Sequence, residues 1–326
     1  MTAEKVVQRG VSFITVDDDH TDRRLDNFLI GYFGGLPKTR IYRMIRKGEV
    51  RVNKGRTKQN YRLQAGDTVR IPPVYLSSPK KPSKPPEWLS ELIGNCIIHE
   101  DDYLIAINKP SSIAVHSGSG VQYGVIEILR AQRPEAHFLE LVHRLDRAAS
   151  GCLLIAKDHK TLRSMHDVFK SGRIKKNYLA LLKGRLTDTV RTVDVPLKKV
   201  STESGDRLVR VDKAGKQALT HFHIQEHFRV ASLSRVELVT GRTHQIRVHA
   251  AHIDHPLACD EKYGDWEFNR AMKKLGLKRL FLHAETLSFE MPNTGRQDTG
   301  KQSAGKQIKL TAPLPSELDQ FLNELV

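Results

Sequence analysis

The sequence has 326 residues, a length that suits two domains and a connecting segment better than one domain of the commonest size. Hydrophobic residues make up 39% and charged residues 28%, as in ordinary globular proteins, but the net charge of +16 is strongly basic. Such a field attracts polyanions, which makes RNA, DNA and anionic membrane surfaces the candidate partners.

A membrane is the weakest of these candidates. The sequence has no run of about 18 consecutive apolar residues, and its first residues lack the apolar stretch of a signal peptide. We therefore expect a cytoplasmic protein without a membrane partner. Cys96, Cys152 and Cys259 lie far apart and form no C-x-x-C pair, which favours buried free thiols over disulfides or a zinc site.

A small basic module, residues 23–76, is predicted after an N-terminal lead of residues 1–22. Between Arg23 and Arg70 it has 13 basic and 3 acidic residues, a net charge of +10. RRLDNFLIGYF has apolar residues at helical spacing and is followed by two glycines, and KTRIYRMIRKG predicts a second helix after Pro37. EVRVNKGR predicts a strand and a turn, and GDTVRIPP a closing strand.

Several basic side chains of this module are predicted to contact RNA. On the second helix Ile41, Met44 and Ile45 share one face, so most basic residues point elsewhere. A merely solvated basic face is the alternative interpretation. The candidates are Lys38, Arg40, Arg43, Arg46, Lys47, Arg51 and Lys54.

The order of R-L-D-x-x-L, two helices and G-E-V-R-V-N-K resembles the S4 RNA-binding module over nearly all of its usual length. The resemblance implies binding of structured RNA mainly through backbone contacts. Residues 77–90 follow with four prolines and three lysines, and we expect them to form an extended linker.

The remaining residues, 91–326, alternate short β-rich runs with helical stretches and predict a mixed α+β domain. YLIAIN, GCLLIAK, YLALLKG and SRVELV are the clearest strands. The polar patch at residues 293–307 is predicted to be a surface loop before a final strand and helix.

The segment LVHRLDRAASGCLLIAK, residues 141–157, contains the strongest functional signal. Its charged cluster lies between an apolar lead and a hydrophobic strand, which predicts a loop held against a sheet. Taken alone, Asp146 between two arginines indicates a structural ion pair. The segment, however, resembles the H-R-L-D-R-x-x-S-G signature of the RluA-type pseudouridine synthases, in which the Asp is catalytic.

Four further segments match that family in order. They are N-K-P at 108–110, K-N-Y-L-A at 176–180, G-R-T-H-Q-I-R-V-H at 241–249 and L-H-A at 282–284. The resemblance implies an α+β catalytic domain with a mixed, largely antiparallel sheet, acting without a cofactor. The S4 module and R-L-F-L-H-A are most similar to the RluC branch, which implies large-subunit (23S) ribosomal RNA as substrate and a monomeric enzyme.

Two sites depart from the branch pattern. Ala148 and Ala149 stand where Asp and Thr are usual, and Ser112 where Gly is common. Ala149 lacks a hydroxyl that would brace the loop, but Asp146 is intact. We expect these changes to tune the enzyme without abolishing its activity.

Pseudouridine formation, which the resemblance implies, needs an ionised carboxylate close to the ribose of the target uridine. A neighbouring guanidinium stabilises the ionised form of such a carboxylate. Arg247 is the predicted partner of Asp146: Gly241 breaks a strand, Thr243 is expected to cap a helix, and Arg247 lies one turn along it with His244. The alternative is a helix that only binds phosphate.

The other residues are assigned by resemblance. Tyr178 is predicted to stack on the uracil, although a core tyrosine is the alternative. Arg144 is expected to help to flip the target base out of the RNA, with plain phosphate contact as its alternative. Further predicted RNA contacts are His143, Arg147, Arg242 and His244.

A metal site is not predicted. His244, His249, His252 and His255 are closely spaced, but no nearby carboxylate or cysteine completes a zinc set. Two other functions stay open at this point: the same reaction on transfer RNA, and a non-catalytic RNA-binding assembly factor. The intact Asp146 argues against the second.

Overall fold

The computed structural model describes residues 5–7, 10–17, 20–33, 36–77, 84–118, 120–201, 207–292 and 305–325. The chain divides into two compact units, residues 1–84 and 85–326. No helix among the described residues is long and apolar enough to span a bilayer.

The N-terminal unit contains two helices and short antiparallel strands. In chain order these are β1 (Lys5–Val7), β2 (Ser12–Thr15), α1 (Leu25–Phe33), α2 (Lys38–Lys47), β3 (Arg51–Val52), β4 (Thr68–Ile71) and β5 (Tyr75–Ser77). Strands β2, β4 and β3 form one sheet in that order, and β1 pairs with β5. Both predicted helices are confirmed.

Helix α2 is amphipathic, as its sequence predicts. Ile41, Met44 and Ile45 are buried in the core of the unit. The helix ends at Gly48, whose φ of 72° is left-handed and whose N–H donates to the carbonyls of Met44 and Ile45. The apolar face is therefore used for packing, and the basic side chains stay available to solvent.

The predicted boundaries of this unit need two corrections. The lead is not separate from it, because β2 lies within residues 1–22 and pairs with β4 along its whole length. The predicted linker is shorter than expected, since a helix starting at Glu87 takes up its last four residues. Residues 78–83 of that linker lie outside the described residues.

The C-terminal unit begins with that helix. Its elements are α3 (Glu87–Gly94), β6 (Ile97–Glu100), β7 (Leu104–Lys109), α4 (Val125–Gln132), β8 (Glu140–Leu141), β9 (Ser150–Ala156), α5 (His159–Lys170), β10 (Ile174–Lys183), β11 (Val190–Asp194), β12 (Leu197–Ser201), β13 (Arg207–Val211), β14 (Leu219–His227), β15 (Ala231–Leu238), α6 (Gln245–His252), α7 (Trp266–Lys274), β16 (Leu282–Glu290), β17 (Gln307–Thr311) and α8 (Ser316–Glu324).

One large mixed sheet organises this unit. Its strand order is β11-β14-β15-β10-β16-β9-β7-β6, with β8 beside β9 and β17 beside β16. All of these pairs are antiparallel except β16 with β9, which is parallel. The predicted mixed α+β fold with a largely antiparallel sheet is confirmed. The predicted loop at 293–307 lies mostly outside the described residues.

The centre of the sheet is buried on both faces. Along β9, Leu153 and Ile155 belong to one hydrophobic cluster, whereas Cys152 and Leu154 belong to another on the opposite face. Continuous apolar runs such as GCLLIA therefore follow from burial on two sides.

Gly151 allows strands β9 and β16 to approach each other closely. His283 is opposite Ser150 and Ala284 is opposite Gly151. Gly151 has a φ of 111°, and a Cβ added there would lie 2.2 Å from the carbonyl oxygen of Ala284. The Ser-Gly pair that follows Asp146 thus allows two motif segments to come into backbone contact.

We predict that Gly151→Ala destabilises the protein far more than Gly172→Ala. Both glycines have positive φ, but nothing lies within 4 Å of a Cβ added at Gly172. Gly172→Ala should cost about 1–2 kcal/mol for backbone strain alone, and Gly151→Ala at least ~2 kcal/mol more for the clash. Urea unfolding of both variants measures the difference, and equal losses would contradict the assigned close approach.

Candidate active site

Asp146 lies in the loop between β8 and β9. Buried Val142 and Leu145 anchor this loop to the two hydrophobic clusters. The amide of Ala149 donates to the carbonyl of Asp146 at 3.1 Å, which closes a turn around the carboxylate. Hydrophobic anchors on either side therefore hold a polar turn at the edge of the core.

Arg247 on α6 joins Asp146 to a second carboxylate. Its Nη1 donates to Asp146 Oδ2 at 3.3 Å, while its Nε and Nη2 donate to Asp260 Oδ2 and Oδ1 at 2.8 and 2.7 Å. The side chain of Asp260 is 0% exposed and that of Arg247 is 9% exposed. The predicted partner of Asp146 thus lies beside it, held from behind by a bidentate ion pair.

These charges reinforce one another. Burial works to lower the pKa of Arg247, but Asp260, with a smaller contribution from Asp146, raises that pKa above its ordinary value. Burial likewise works to raise the pKa of Asp260, yet Arg247 and two backbone amides hold it below the usual range. The guanidinium therefore stays charged although it is almost inaccessible to water.

His244 approaches the other oxygen of the Asp146 carboxylate. Its Nε2 lies 3.8 Å from Asp146 Oδ1, and its Nδ1 is 2.7 Å from the hydroxyl of Tyr263. The ring of Tyr263 also lies under the Arg247 guanidinium, 5.1 Å from its central carbon. Two basic side chains of α6 and its N-terminus thus flank the carboxylate.

The predicted helix cap is wrong. His244, with a left-handed φ of 54°, occupies the N-cap position of α6, and its side chain makes no capping hydrogen bond. The carboxamide oxygen of Gln245 instead accepts from the Arg242 amide at 2.9 Å and from the Thr240 hydroxyl at 2.8 Å. The Gln245 side chain therefore stabilises the turn before α6, and Thr243 does not cap the helix.

Tyr178 lies on β10 with its ring 8% exposed, at the wall of the same cavity. Burial, with the nearby charge of Asp146, raises the pKa of its phenol above the ordinary value, so the hydroxyl stays neutral. Tyr178 is part of the core and also part of the cavity wall. A core position and a position at the site are therefore compatible for this residue.

His143 is a structural residue of the loop. Its Nε2 accepts from the amide of Leu154 at 3.1 Å, and its ring stacks on Phe169 with centroids 5.0 Å apart. Burial, with the nearby charge of Lys176, lowers the pKa of His143 to about 3, which leaves the ring neutral. The predicted contact of His143 with RNA would therefore involve a neutral imidazole and not a cation.

These side chains surround a cavity of about 490 Å³, a volume typical of small-ligand sites. Exposed Arg144, Arg147 and Arg242 lie at its wall, and Arg242 and Arg147 donate from Nε to the carbonyls of Gln217 and Ser112. Four of the five motif segments, all but N-K-P at 108–110, thus contribute residues to one basic cavity around Asp146.

The predicted S4 contacts lie in the other unit. Lys38, Arg43, Arg46, Lys47, Arg51 and Lys54 are exposed, and Arg40 is half-buried. Arg51 also donates to the carbonyl of Gly48 at 3.1 Å. Their arrangement provides a basic surface on the N-terminal unit.

Two of the closely spaced histidines, His249 and His255, bond to protein groups. His249 bonds to the Thr220 hydroxyl and the Val195 carbonyl, and His255 to the Lys183 carbonyl. Burial lowers the pKa of His249 to about 4. Within the part of the chain that the structure describes, no group of His, Cys, Asp and Glu side chains is placed to hold a metal ion.

Comparison with known proteins shows the family of this chain. A family model described as RNA pseudouridylate synthase matches residues 103–252, and one described as S4 domain matches residues 23–69. A protein named ribosomal large subunit pseudouridine synthase C from Pasteurella multocida is 47% identical, over 99% of this chain and 96% of its own. The chain belongs to the RNA pseudouridylate synthase family.

Other relatives of the synthase agree in length and fold. A protein of the same printed name from Escherichia coli is 46% identical, over 97% of each chain. The solved structure titled human RNA pseudouridylate synthase domain containing 4 is 25% identical and has a TM-score of 0.58, covering 73% of this chain and 95% of that one. The catalytic unit therefore has the fold of its family.

The sequence motifs of the synthase do not reveal Asp260 as the second partner of Arg247. Asp260 is in A-C-D-E-K-Y-G, outside the matched motifs, and only its burial marks it as unusual. Lys109 belongs to the N-K-P motif, but the sequence indicates no role for it. It is completely buried and donates to the carbonyls of Pro110, Ile113 and Arg147.

The departures from the branch pattern have physical explanations in the synthase. Ser112 has a left-handed φ of 68°, which accounts for the usual glycine, and its amide donates to the carbonyl of Arg147 at 2.8 Å. Ala149 is buried in the main core. The Ser111 hydroxyl donates to the carbonyl of Ala148 at 2.7 Å and so braces the loop where a hydroxyl at Ala149 is missing.

We predict that Asp260→Asn both destabilises the synthase and slows it. Removing one charge of a buried pair leaves Arg247 without its bidentate partner, which should cost about 3 kcal/mol in the free energy of unfolding. Arg247 should then lose its fixed position beside Asp146. Urea unfolding and single-turnover tritium release from RNA containing 5-tritiated uridine measure the two effects.

Glu285→Gln is the matched control, because it removes the carboxylate of the more exposed Arg235–Glu285 pair at 3.1 Å. Its cost should stay below about 1 kcal/mol. If the two substitutions were equally mild, the buried pair would not support the site.

Proposed function

We propose that this enzyme isomerises uridines of large-subunit (23S) ribosomal RNA to pseudouridine, with Asp146 as the catalytic carboxylate. The observation that carries the proposal is the placement of Asp146 in a basic cavity, bonded to Arg247, which Asp260 in turn anchors. The choice of RNA is supported by full-length relatives named ribosomal large subunit pseudouridine synthase C.

The reaction breaks the bond between uracil N1 and ribose C1′, turns the base and joins C5 to C1′. One proton leaves C5 and one is gained at N1, so the change is an isomerisation and consumes nothing. Asp146 is suited to act on the sugar or the base because its carboxylate faces a cavity with a buried cation beside it.

Tyr178, Arg247 and Arg144 complete the proposed site. The Tyr178 ring at the cavity wall offers an apolar face on which the uracil stacks. Arg247 holds one oxygen of Asp146. Arg144, exposed at the cavity, is positioned to contact RNA from which the uridine has been flipped, a step that costs a few kcal/mol.

We further propose that the S4 domain supplies sequence-independent affinity through the exposed basic residues of α2, and that Arg147, Arg242 and His143 line the path of the flipped nucleotide. The enzyme acts in the cytoplasm as a monomer and uses no cofactor or metal. Sedimentation velocity tests the monomer, and pseudouridine mapping of total RNA with and without the gene tests ribosomal against transfer RNA.

Asp146→Asn should abolish isomerisation and leave RNA affinity almost unchanged, because the charge is lost and the shape is retained. We expect tritium release to fall by at least about a hundredfold. A rate within tenfold of the unmodified enzyme would remove Asp146 from the catalytic role.

Replacing Arg43, Arg46 and Lys47 by Gln should weaken RNA binding and flatten its dependence on salt. Removing one basic side chain that neutralises a phosphate lowers the slope of log K against log salt by about 0.7–0.9. The control is Arg62→Gln, since Arg62 already pairs with Asp22 at 3.0 Å. Slopes that match between the triple variant and the control would mean that α2 does not bind the RNA backbone.

A further inference from the structure

The hydroxyl of Tyr263 has two hydrogen-bond partners, one of which can only donate. The amide of Val209, on β13, donates to it at 3.0 Å. Since an amide can only donate, the phenol oxygen is the acceptor in that bond. The hydroxyl hydrogen is then available for His244 Nδ1, 2.7 Å away.

The direction of the bond between Tyr263 and His244 specifies the tautomer of His244. If Nδ1 accepts from Tyr263, the neutral imidazole carries its proton on Nε2, the nitrogen that lies 3.8 Å from Asp146 Oδ1. That separation is longer than a hydrogen bond, and catalytic contacts commonly tighten only in the reacting complex. This nitrogen lies near Oδ1 of Asp146, whereas Arg247 donates to Oδ2.

Burial, more than the surrounding charges, favours the neutral ring of His244. Burial lowers the pKa of His244; Asp146 opposes that shift, Arg247 and Lys262 add to it, and Asp260 opposes it. Protonation of Nδ1 would in addition require the Tyr263 hydroxyl to turn away. With Tyr263, these are the groups that face His244.

We propose that His244 is a positioning residue which, oriented by Tyr263, holds the second oxygen of the catalytic carboxylate as a neutral donor. The inference rests on the proposed catalytic role of Asp146. Arg247 binds Oδ2 as a cation and His244 directs an uncharged N–H at Oδ1, so the carboxylate is fixed at both oxygens while only one positive charge opposes its reactivity. His244 is thus assigned to Asp146 and not to RNA.

Tyr263 connects this arrangement to the rest of the site. Its amide donates to Asp260 Oδ1 at 3.0 Å, its ring lies under Arg247, and its hydroxyl bonds to His244. One residue therefore touches both groups that hold Asp146. Its side chain is absent from the cavity wall that the described residues form.

Two substitutions at His244 separate the roles of its nitrogens. The amide nitrogen of Gln can take the place of Nε2 near Asp146, whereas that of Asn takes the place of Nδ1 near Tyr263. Asn is the better tolerated of the two at a left-handed φ of 54°, so strain works against Gln. We expect His244→Gln to retain most of the single-turnover rate and His244→Asn to lose about tenfold, with the RNA affinity of both unchanged.

Tyr263→Phe gives a readout that a purely structural role would not change. Nitrogen NMR of the ¹⁵N-histidine-labelled full-length enzyme, with His244 assigned from the His244→Asn spectrum, should show an unprotonated Nδ1 and a protonated Nε2. Loss of the Tyr263 donor should raise the pKa of His244 by about one unit. The rate of the variant, relative to the unmodified enzyme, should then decline as the pH falls from about 8.5 to 5.5, because a second cation forms beside Asp146.

Transcribed large-subunit ribosomal RNA with 5-tritiated uridine is the substrate. The matched control is Tyr61→Phe, which removes a hydroxyl bonded to Asp67 at 3.1 Å in the N-terminal unit, outside helix α2. A proton on Nδ1 of neutral His244, equal rates for the Gln and Asn variants, or a loss of RNA affinity common to both would each overturn the inference. Asp146→Asn tests the proposed function separately: if that variant is inactive while the Tyr263→Phe profile parallels the unmodified enzyme, only the role of His244 is refuted.

Discussion

A buried guanidinium needs counter-charge, and Arg247 finds it in two carboxylates on opposite sides. Asp260 supplies a bidentate pair at 2.7 and 2.8 Å, and Asp146 accepts a third hydrogen bond at 3.3 Å. Leaving such a cation unpaired would cost several kcal/mol, so the loop after β8, helix α6 and the turn after α6 are constrained to meet. The position of Asp146 depends on this constraint, with Arg247 at one of its oxygens and His244 near the other.

A second buried cation shapes the loop from behind. Lys109 donates to three backbone carbonyls, one of them that of Arg147, and burial, with the charge of Arg279, lowers its pKa to about 7 while Asp146 opposes the shift. Because these contacts are to backbone, they do not depend on the side chains at positions 148 and 149. The loop can therefore carry two alanines and keep its turn, with Ser111 adding a further hydrogen bond.

The basic charge has two separate uses. In the S4 domain the exposed arginines and lysines of α2 stand on a helix whose other face is packed, an arrangement suited to phosphates without regard to sequence. Around Asp146 the charges are fewer, and several are bonded to backbone carbonyls or carboxylates. The first arrangement suits affinity, and the second suits the positioning of one nucleotide.

The sequence by itself determined the family, the mixed α+β class and both S4 helices, because these follow from contiguous motifs and local periodicity. It also proposed Asp146, Tyr178 and Arg247 as site residues, and the fold brings these three to one cavity. It assigned the helix cap to Thr243 where Gln245 holds the turn, and it separated a lead whose strand β2 pairs with β4. Only the tertiary structure decided that Asp260 anchors Arg247, that Lys109 bonds to the backbone of two loops, and that the Tyr263 hydroxyl lies 2.7 Å from His244 Nδ1. Those contacts join residues distant in sequence, and the chain packing that selects them leaves no periodic or motif signal in the sequence.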